Sequence, residues 1–383
     1  MARAEEPWWI ADRAAQFRLF ASTDGGSAPL YRRLAEAAAD DPEVLGLLDV
    51  APPSQQRTVL LLAAVHDRVL ADPRCELAAF YPSVDPERAA AASAAGDPWP
   101  VFRAFCLDRR AAVEAIVATR TTQTNEVGRC AALVPAFELV HRATGRPLSL
   151  LEVGTSAGLN LAFDRYRIEY GEPSWDQPPW PPFLAAQAAG PADATVTIRT
   201  RVVGEQPMPV PADGTTPIAE RAGLDRHPGD VADDASVRWL EACVFPDRVD
   251  RMARLRAAVA VSRAAPPRVE QGDAVADLAR VAATVGGDGP LVVFHSWALT
   301  YVDDQAGFAS AVTALAADRD VWWLSVEPST AVPGLAVPRR DERYAPTMAA
   351  NTVTSLMHVT PSGREDHVLA RSHPHLDWLH WLA

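Results

Sequence analysis

Residues 150 to 166 read LLEVGTSAGLNLAFDRY, and the types and spacing of their small and polar side chains suit two different chemistries. Gly154, Thr155, Ser156, Ala157 and Gly158 fit the pattern G-x-S-x-G, in which a serine on a sharp strand-to-helix turn acts as a nucleophile. Glu152 before the turn and Asn160 after it point elsewhere. They suit a loop whose small residues let the backbone run close to a nucleoside, with helix N–H groups offered to an anionic end of the ligand. A dinucleotide fingerprint would place glycine at 154, 156 and 159. Ser156 and Leu159 stand at two of those positions, so NAD or FAD is not expected.

The elements that must position this loop follow from the apolar pattern. Leu148 to Val153 reads as a first buried strand, and Arg268 to Glu270, Leu291 to Phe294 and Val321 to Val326 read as further ones, separated by helical stretches. Short apolar runs alternating with helices predict a parallel sheet covered on both faces. Tyr166 to Tyr170 and Ala194 to Val203 alternate apolar and polar residues and predict an antiparallel hairpin, inside a Pro-rich β insertion near 166–218. Thr354 to Thr360 and Asp366 to Ala370 predict a C-terminal antiparallel hairpin. Residues 8 to 119 carry apolar positions at helical spacing, as in Val59, Leu62, Ala63, His66, Val69 and Leu70. The organisation expected is a helical domain over 1–120 and an α/β domain over 121–383. A hydrolase nucleophile follows a strand inside an assembled sheet, with an oxyanion loop upstream and Asp then His downstream. The stretch before Leu148 reads as helix and holds no Gly-rich loop, although His358, His367, His373 and His375 stand downstream, so a Ser156-dependent serine hydrolase is the alternative enzyme.

Polar stations fall at the carboxyl ends of the expected strands, where open α/β sheets bind ligands: Glu152, Asp225, the string Gly272, Asp273, Ala274, and His295 with Trp297. The set resembles the adenosyl site of class I methyltransferases. More broadly, the chain resembles the bacterial family called domain of unknown function 2332. That resemblance rests on Gln123 to Arg129, Glu152 to Asn160 with Asp164 to Tyr166, Gly223 to Pro228, Gly272 to Ala274, and His295 to Trp297. What the resemblance to class I methyltransferases implies is an α/β, Rossmann-like, mostly parallel sheet with a C-terminal antiparallel hairpin, preceded by an all-α N-terminal domain. It also implies S-adenosyl-L-methionine as cofactor.

By that resemblance Gly154, Thr155, Ser156, Gly158 and Asn160 line the cofactor, and Asp225 meets the ribose hydroxyls, with Glu169 or Glu172 as alternatives. Asp273 or its neighbours Gly272 and Ala274 then meet the adenine. Asn125, Glu126 and Arg129 lie toward the methionine end, or else Thr124 or Asn125 caps a helix with Glu126 in its first turn. Methyl transfer needs a held acceptor and a base for its proton. His295 is the first candidate, because imidazole titrates near neutral pH, against the reading of a core histidine. Glu126 and Tyr301 are further catalytic candidates. No Asp/Asn-Pro-Pro-Tyr motif follows the fourth strand, so the amino methylation it serves is not expected.

Composition narrows the partners. A formal charge of −13 over 383 residues argues against a nucleic-acid or anionic-membrane surface and for a small-molecule substrate. Cys75, Cys106, Cys130 and Cys243 are scattered without a C-x-x-C pair, so reduced core thiols and no metal are expected. The acidic start and the absence of a long apolar run lead to a cytoplasmic location as the expectation. Arg248, Arg251, Arg254 and Arg256 are expected on a solvated helix face, and Trp175, Trp180, Trp322 and Trp323 to pack. The function expected is methyl transfer to a small molecule. A non-catalytic cofactor-binding protein is the alternative outside enzymes.

Overall fold

A computed structural model describes residues 12–171, 187–203, 206–211, 214–338 and 352–383. Trp175, Trp180 and Glu172 lie outside the described residues. The chain forms two compact units, one of residues 1–124 with 232–256, the other of 125–231 with 257–383. Residues 232–256, expected within the α/β segment, therefore belong to the first unit.

The regular elements described in the first unit are helices, among them Arg13–Ser22, Pro29–Ala38, Thr58–Ala71, Pro86–Ala95, Trp99–Asp108, Arg110–Thr119 and Asp234–Ala242. Proline at the first helical position starts several of them, and Asp12, Asp41, Asp85 and Asp233 accept hydrogen bonds from early backbone N–H groups. Gly96 ends the Ala-rich run at Ala95. The core joins Phe17, Tyr31, Leu34, Leu61, Val65, Phe102 and Val113 to Trp239 and Ala242 from the later segment. The arginine run is not a solvated face throughout: Arg251 is buried.

The second unit is built on one sheet of eleven strands: β1 (Leu148–Val153), β2 (Arg167–Gly171), β3 (Gln187–Ala189), β4 (Thr197–Val203), β5 (Ile218–Asp225), β6 (Val269–Gln271), β7 (Leu291–Ser296), β8 (Val321–Pro328), β9 (Thr352–Thr360), β10 (Gly363–Ser372) and β11 (Trp378–Trp381). Their order is β3-β2-β4-β11-β10-β9-β8-β7-β1-β5-β6. Most neighbouring pairs are parallel, including β6-β5-β1-β7-β8. Those five form a Rossmann-like α/β arrangement. Every residue of β1 and β7 is buried, as expected of strands covered on both faces. The helix Cys130–Thr144 ends at Gly145 in the left-handed conformation, φ +64, and delivers the chain into β1.

β9 and β10 form the expected antiparallel hairpin. The inserted strands differ from expectation, because β2 and β4 pair in parallel. The antiparallel place beside β2 is taken by the short β3, and β4 returns on the other side of β2 to pair with β11. Among the described residues, no helix is long and apolar enough to cross a membrane.

Candidate functional site

Apart from the inserted β2–β4, the chain runs from β1 to β5 and β6 on one side, then crosses to β7 and β8 on the other, so a topological switch point lies between β1 and β7. Open α/β sheets hold ligands outside the carboxyl ends of the strands at such a point. Three non-glycine residues among the described ones have positive φ: Ser156 at +53, Trp297 at +52 and Leu376 at +59. The first two stand in the loops that follow β1 and β7. Backbone held in this costly region collects at functional sites.

In the β1 loop, Gly154 has φ +71 and donates its N–H to Leu224 O at 2.8 Å. A Cβ at Gly154 would lie 2.2 Å from Cβ of Ala298, and one at Gly158 would lie 2.6 Å from Cγ of Pro267. The space beside these glycines is therefore taken by the chain's own segments. Glu152, at 1% exposure, accepts from Thr155 Oγ1 at 2.5 Å and from Asn160 Nδ2 at 3.1 Å. Burial pushes its carboxyl up to about 7, opposed by those two hydrogen bonds and by Arg129, and assisted by the charge of Asp225.

Asp225, at the end of β5, accepts the Ser156 N–H at 2.7 Å and the His227 N–H at 2.8 Å. Glu169 instead pairs with Arg199 at 2.9 Å on the inserted strands, so Asp225 is the acid brought to the loop. Gly272 donates its N–H to Asp225 O at 2.9 Å. Asp273 accepts from the N–H groups of Val275 and Ala276, at 2.8 and 3.1 Å, and from Arg226 at 3.0 Å. The backbone bonds from Ala276 and Val275 hold its carboxyl below the usual range. Ala274, next in the turn, is half-buried.

Residues 125–129 connect three loops. Asn125 Nδ2 donates to Thr155 O at 3.3 Å, while its Oδ1 is buried without a hydrogen-bond partner. Glu126, rather than Thr124 or Asn125, caps the turn Val127–Arg129 by accepting the Gly128 N–H at 2.9 Å. The other oxygen of Glu126 lies 3.7 Å from Nδ1 of His375. Arg129 donates to Ser296 O at 3.0 Å and to Pro374 O at 3.2 Å, with its guanidinium 5.9 Å from the Trp297 ring centroid. It works as a strap across backbone carbonyls.

His295 does not stand ready as a base. It is 1% exposed, its Nε2 accepts from Trp323 Nε1 at 2.8 Å, and its Nδ1 lies 2.8 Å from Glu327 Oε1. Indole is a donor only, so Nε2 supplies the lone pair and Nδ1 carries the proton toward Glu327. Both nitrogens are engaged within the core. Glu327 also accepts the N–H groups of Ala298 and Leu299, at 2.7 and 2.9 Å, and so fixes the loop that carries Trp297 in its left-handed conformation. Trp297 donates its indole N–H to Thr352 Oγ1 at 3.2 Å, and Tyr301 is 56% exposed. Glu327 escaped the sequence reading, though an acid at a strand's carboxyl end was the signal that found Glu152.

Asp164 and Tyr166 hold the segment after the loop. Asp164 receives Arg221 from β5 at 2.6 Å, and Tyr166 donates its hydroxyl to Leu159 O at 2.7 Å. Ser156 shares a positive φ with nucleophile elbows. Yet β1 is the first strand among the described residues, whereas such an elbow follows a strand inside an already assembled sheet.

Fold and site together define a Rossmann-like α/β protein whose polar residues gather around a switch point. The chain matches, over residues 14–381, the family model described as "Uncharacterized protein conserved in bacteria (DUF2332)", and it belongs to that family. No curated protein and no solved structure matches it.

Proposed function

We propose that this edge of the sheet is a methyltransferase-like site that binds S-adenosyl-L-methionine and serves methyl transfer to a small molecule. The observation that carries the reading is the series of carboxylates at the ends of β1, β5 and in the turn after β6: Glu152, Asp225 and Asp273 beside the switch point. A carboxylate oxygen that accepts one N–H keeps a second lone pair, so Asp225 can still accept ribose hydroxyls. The buried, unpartnered Oδ1 of Asn125 suits the ammonium of the methionine end. When bound, the sulfonium supplies an electrophilic methyl group. The protein's part is to orient it, with Asp225 at the ribose, the Asp273 turn near the base and Asn125 at the amino group.

Calorimetry tests this. Saturable binding of the cofactor is expected, weakened about 10- to 100-fold in Asp225→Asn, the loss of one charge-assisted hydrogen-bond acceptor. Absence of saturable binding overturns the reading, as does fluorophosphonate labelling that disappears in Ser156→Ala.

A further inference from the structure

We infer that Glu327, buried at the end of β8, is a positioning residue for the loop after β1, and that it acts on that loop through Ala298. Its reach to the ligand rests on the adenosyl reading above; the link between the two loops does not. Glu327 is 1% exposed, and its Oε1 accepts the His295 Nδ1–H at 2.8 Å and the N–H groups of Ala298 and Leu299 at 2.7 and 2.9 Å. The N–H of Thr300 turns to the other oxygen at 3.4 Å. Successive backbone N–H groups of this kind make a concave seat for an anion, and here the chain fills it with its own carboxylate. Trp323 Nε1 donates to His295 Nε2 at 2.8 Å, so the imidazole is fixed at both nitrogens and aims its proton at Glu327.

The seat sets where Ala298 stands. Trp297, just before it, donates its N–H to Val326 O at 3.0 Å and is held at φ +52, a conformation that a bulky side chain adopts only when its surroundings impose it. Ala298 Cβ occupies the place where a side chain on Gly154 would begin, 2.2 Å from that position. Gly154 is itself in the left-handed region at φ +71, with its N–H on Leu224 O at 2.8 Å. Two residues on, the Ser156 N–H meets Asp225 at 2.7 Å, and Asn125 Nδ2 reaches Thr155 O at 3.3 Å. A shift of Ala298 toward β1 has no room to be absorbed at Gly154, and it passes to the peptide that faces Asp225. Packed interiors transmit displacement in this way because they hold few voids. Glu327 thus governs, from β8, the path of the loop that would carry the adenosyl group.

Hydrogen exchange read by peptide mass spectrometry tests the link, with calorimetry of S-adenosylmethionine in parallel. Glu327→Gln keeps an acceptor oxygen but loses the charge that strengthens its bonds, so exchange at residues 298–300 is expected to rise about tenfold. Exchange at residues 154–158 is expected to rise with it, while β2 and β4 keep the wild-type rate. Coupling is reciprocal, so Gly154→Ala is expected to raise exchange at residues 298–300. Ala298→Gly in the same chain clears the space and is expected to bring that rate back toward wild type. Affinity for S-adenosylmethionine is expected to fall about five- to tenfold in Glu327→Gln.

Residues 154–158 that keep the wild-type rate in Glu327→Gln overturn the link. A rise spread equally over β2 and β4 also overturns it, since that marks general loss of stability. Should Glu327→Gln fail to fold, the Gly154→Ala chain decides: unchanged exchange at residues 298–300, or no return in the double variant, overturns the link. Unchanged affinity in a Glu327→Gln chain whose loop exchange has risen overturns the reach to the ligand. A wild-type chain that binds no S-adenosylmethionine overturns the adenosyl reading and that reach with it, while exchange still decides the link.

Discussion

Each unit contains a buried histidine in hydrogen-bond contact with an oxygen, and a comparison of the helical unit's His66 with the strand-end groups of the sheet unit shows what a short distance is worth. His66 Nε2 lies 2.8 Å from Ser83 Oγ, and its Nδ1 lies 3.1 Å from the carbonyl of Ala242. That is the spacing of a nucleophile, a base and an orienting group. The imidazole is nonetheless fully buried between Tyr31 and Tyr81, and burial pushes its pKa down to about 4. A carbonyl only accepts, so Nδ1–H donates to Ala242 and Nε2 accepts the Ser83 hydroxyl proton. The contact ties three stretches of chain together. Around the switch point the polar groups converge from different strand ends, partly open, on loops held at positive φ. Convergence and approach, rather than distance, separate the two regions.

The largest expected effect sharpens this contrast from the sheet side. Glu327→Ala strips the partner from His295 and from two backbone N–H groups, and should cost on the order of 3–5 kcal/mol in urea unfolding. A loss below about 1 kcal/mol would mean that the loop after β7 is not held by this carboxylate.

Next come opposite pH dependences. The unfolded His66 takes up its proton near 6.5 and the folded one only near 4, so the stability present above 6.5 is lost as pH falls through that window. Glu152 works the other way. Its carboxyl ionises near 4.5 when unfolded and near 7 when folded, so stability declines as pH rises between those values. Each limb is worth on the order of 2–3 kcal/mol. Because the two windows overlap, the contributions largely offset each other in the wild type, and urea midpoints measured from pH 4 to 8 should decline with rising pH in His66→Gln and climb in Glu152→Gln. Flat profiles in both variants would erase the comparison.

The smallest effect on stability is expected at Asp225→Asn. Ser156 and His227 donate to separate oxygens of Asp225 and asparagine keeps only one acceptor oxygen, so one of the two bonds is lost and unfolding should change by about 0.5–1.5 kcal/mol. The cofactor affinity discussed above should still fall. A stability loss as large as that of Glu327→Ala would class Asp225 with the structural carboxylates.

Much of the sheet's central part was legible because β1, β7 and β8 are nearly unbroken apolar runs, and such runs have few alternatives in a covered parallel sheet. Asp225 and Asp273 were picked out by their places after Gly223-Leu224 and after Gly272, since the strands before them, IAERAGLD and VEQ, carry little apolar pattern. The direction of β4 was not, because alternation marks a strand and its faces but leaves the neighbour's direction open. That direction depends on β3 and β11, of three and four residues, which carry too little pattern to be seen. The packing at the glycines was not legible because the groups that fill their missing side chains, Ala298 and Pro267, come from over a hundred residues away. His295 misled because Trp323 and Glu327, which occupy its nitrogens, lie on the next strand.

Among the described residues, Trp378–Trp381 is the strand that hydrogen-bonds the inserted strands to the remainder of the sheet. During synthesis, residues 167–203 must therefore wait for more than a hundred and seventy later residues before their own ladder has anywhere to dock. In that interval β4 presents an open row of backbone donors and acceptors, a template for any passing strand.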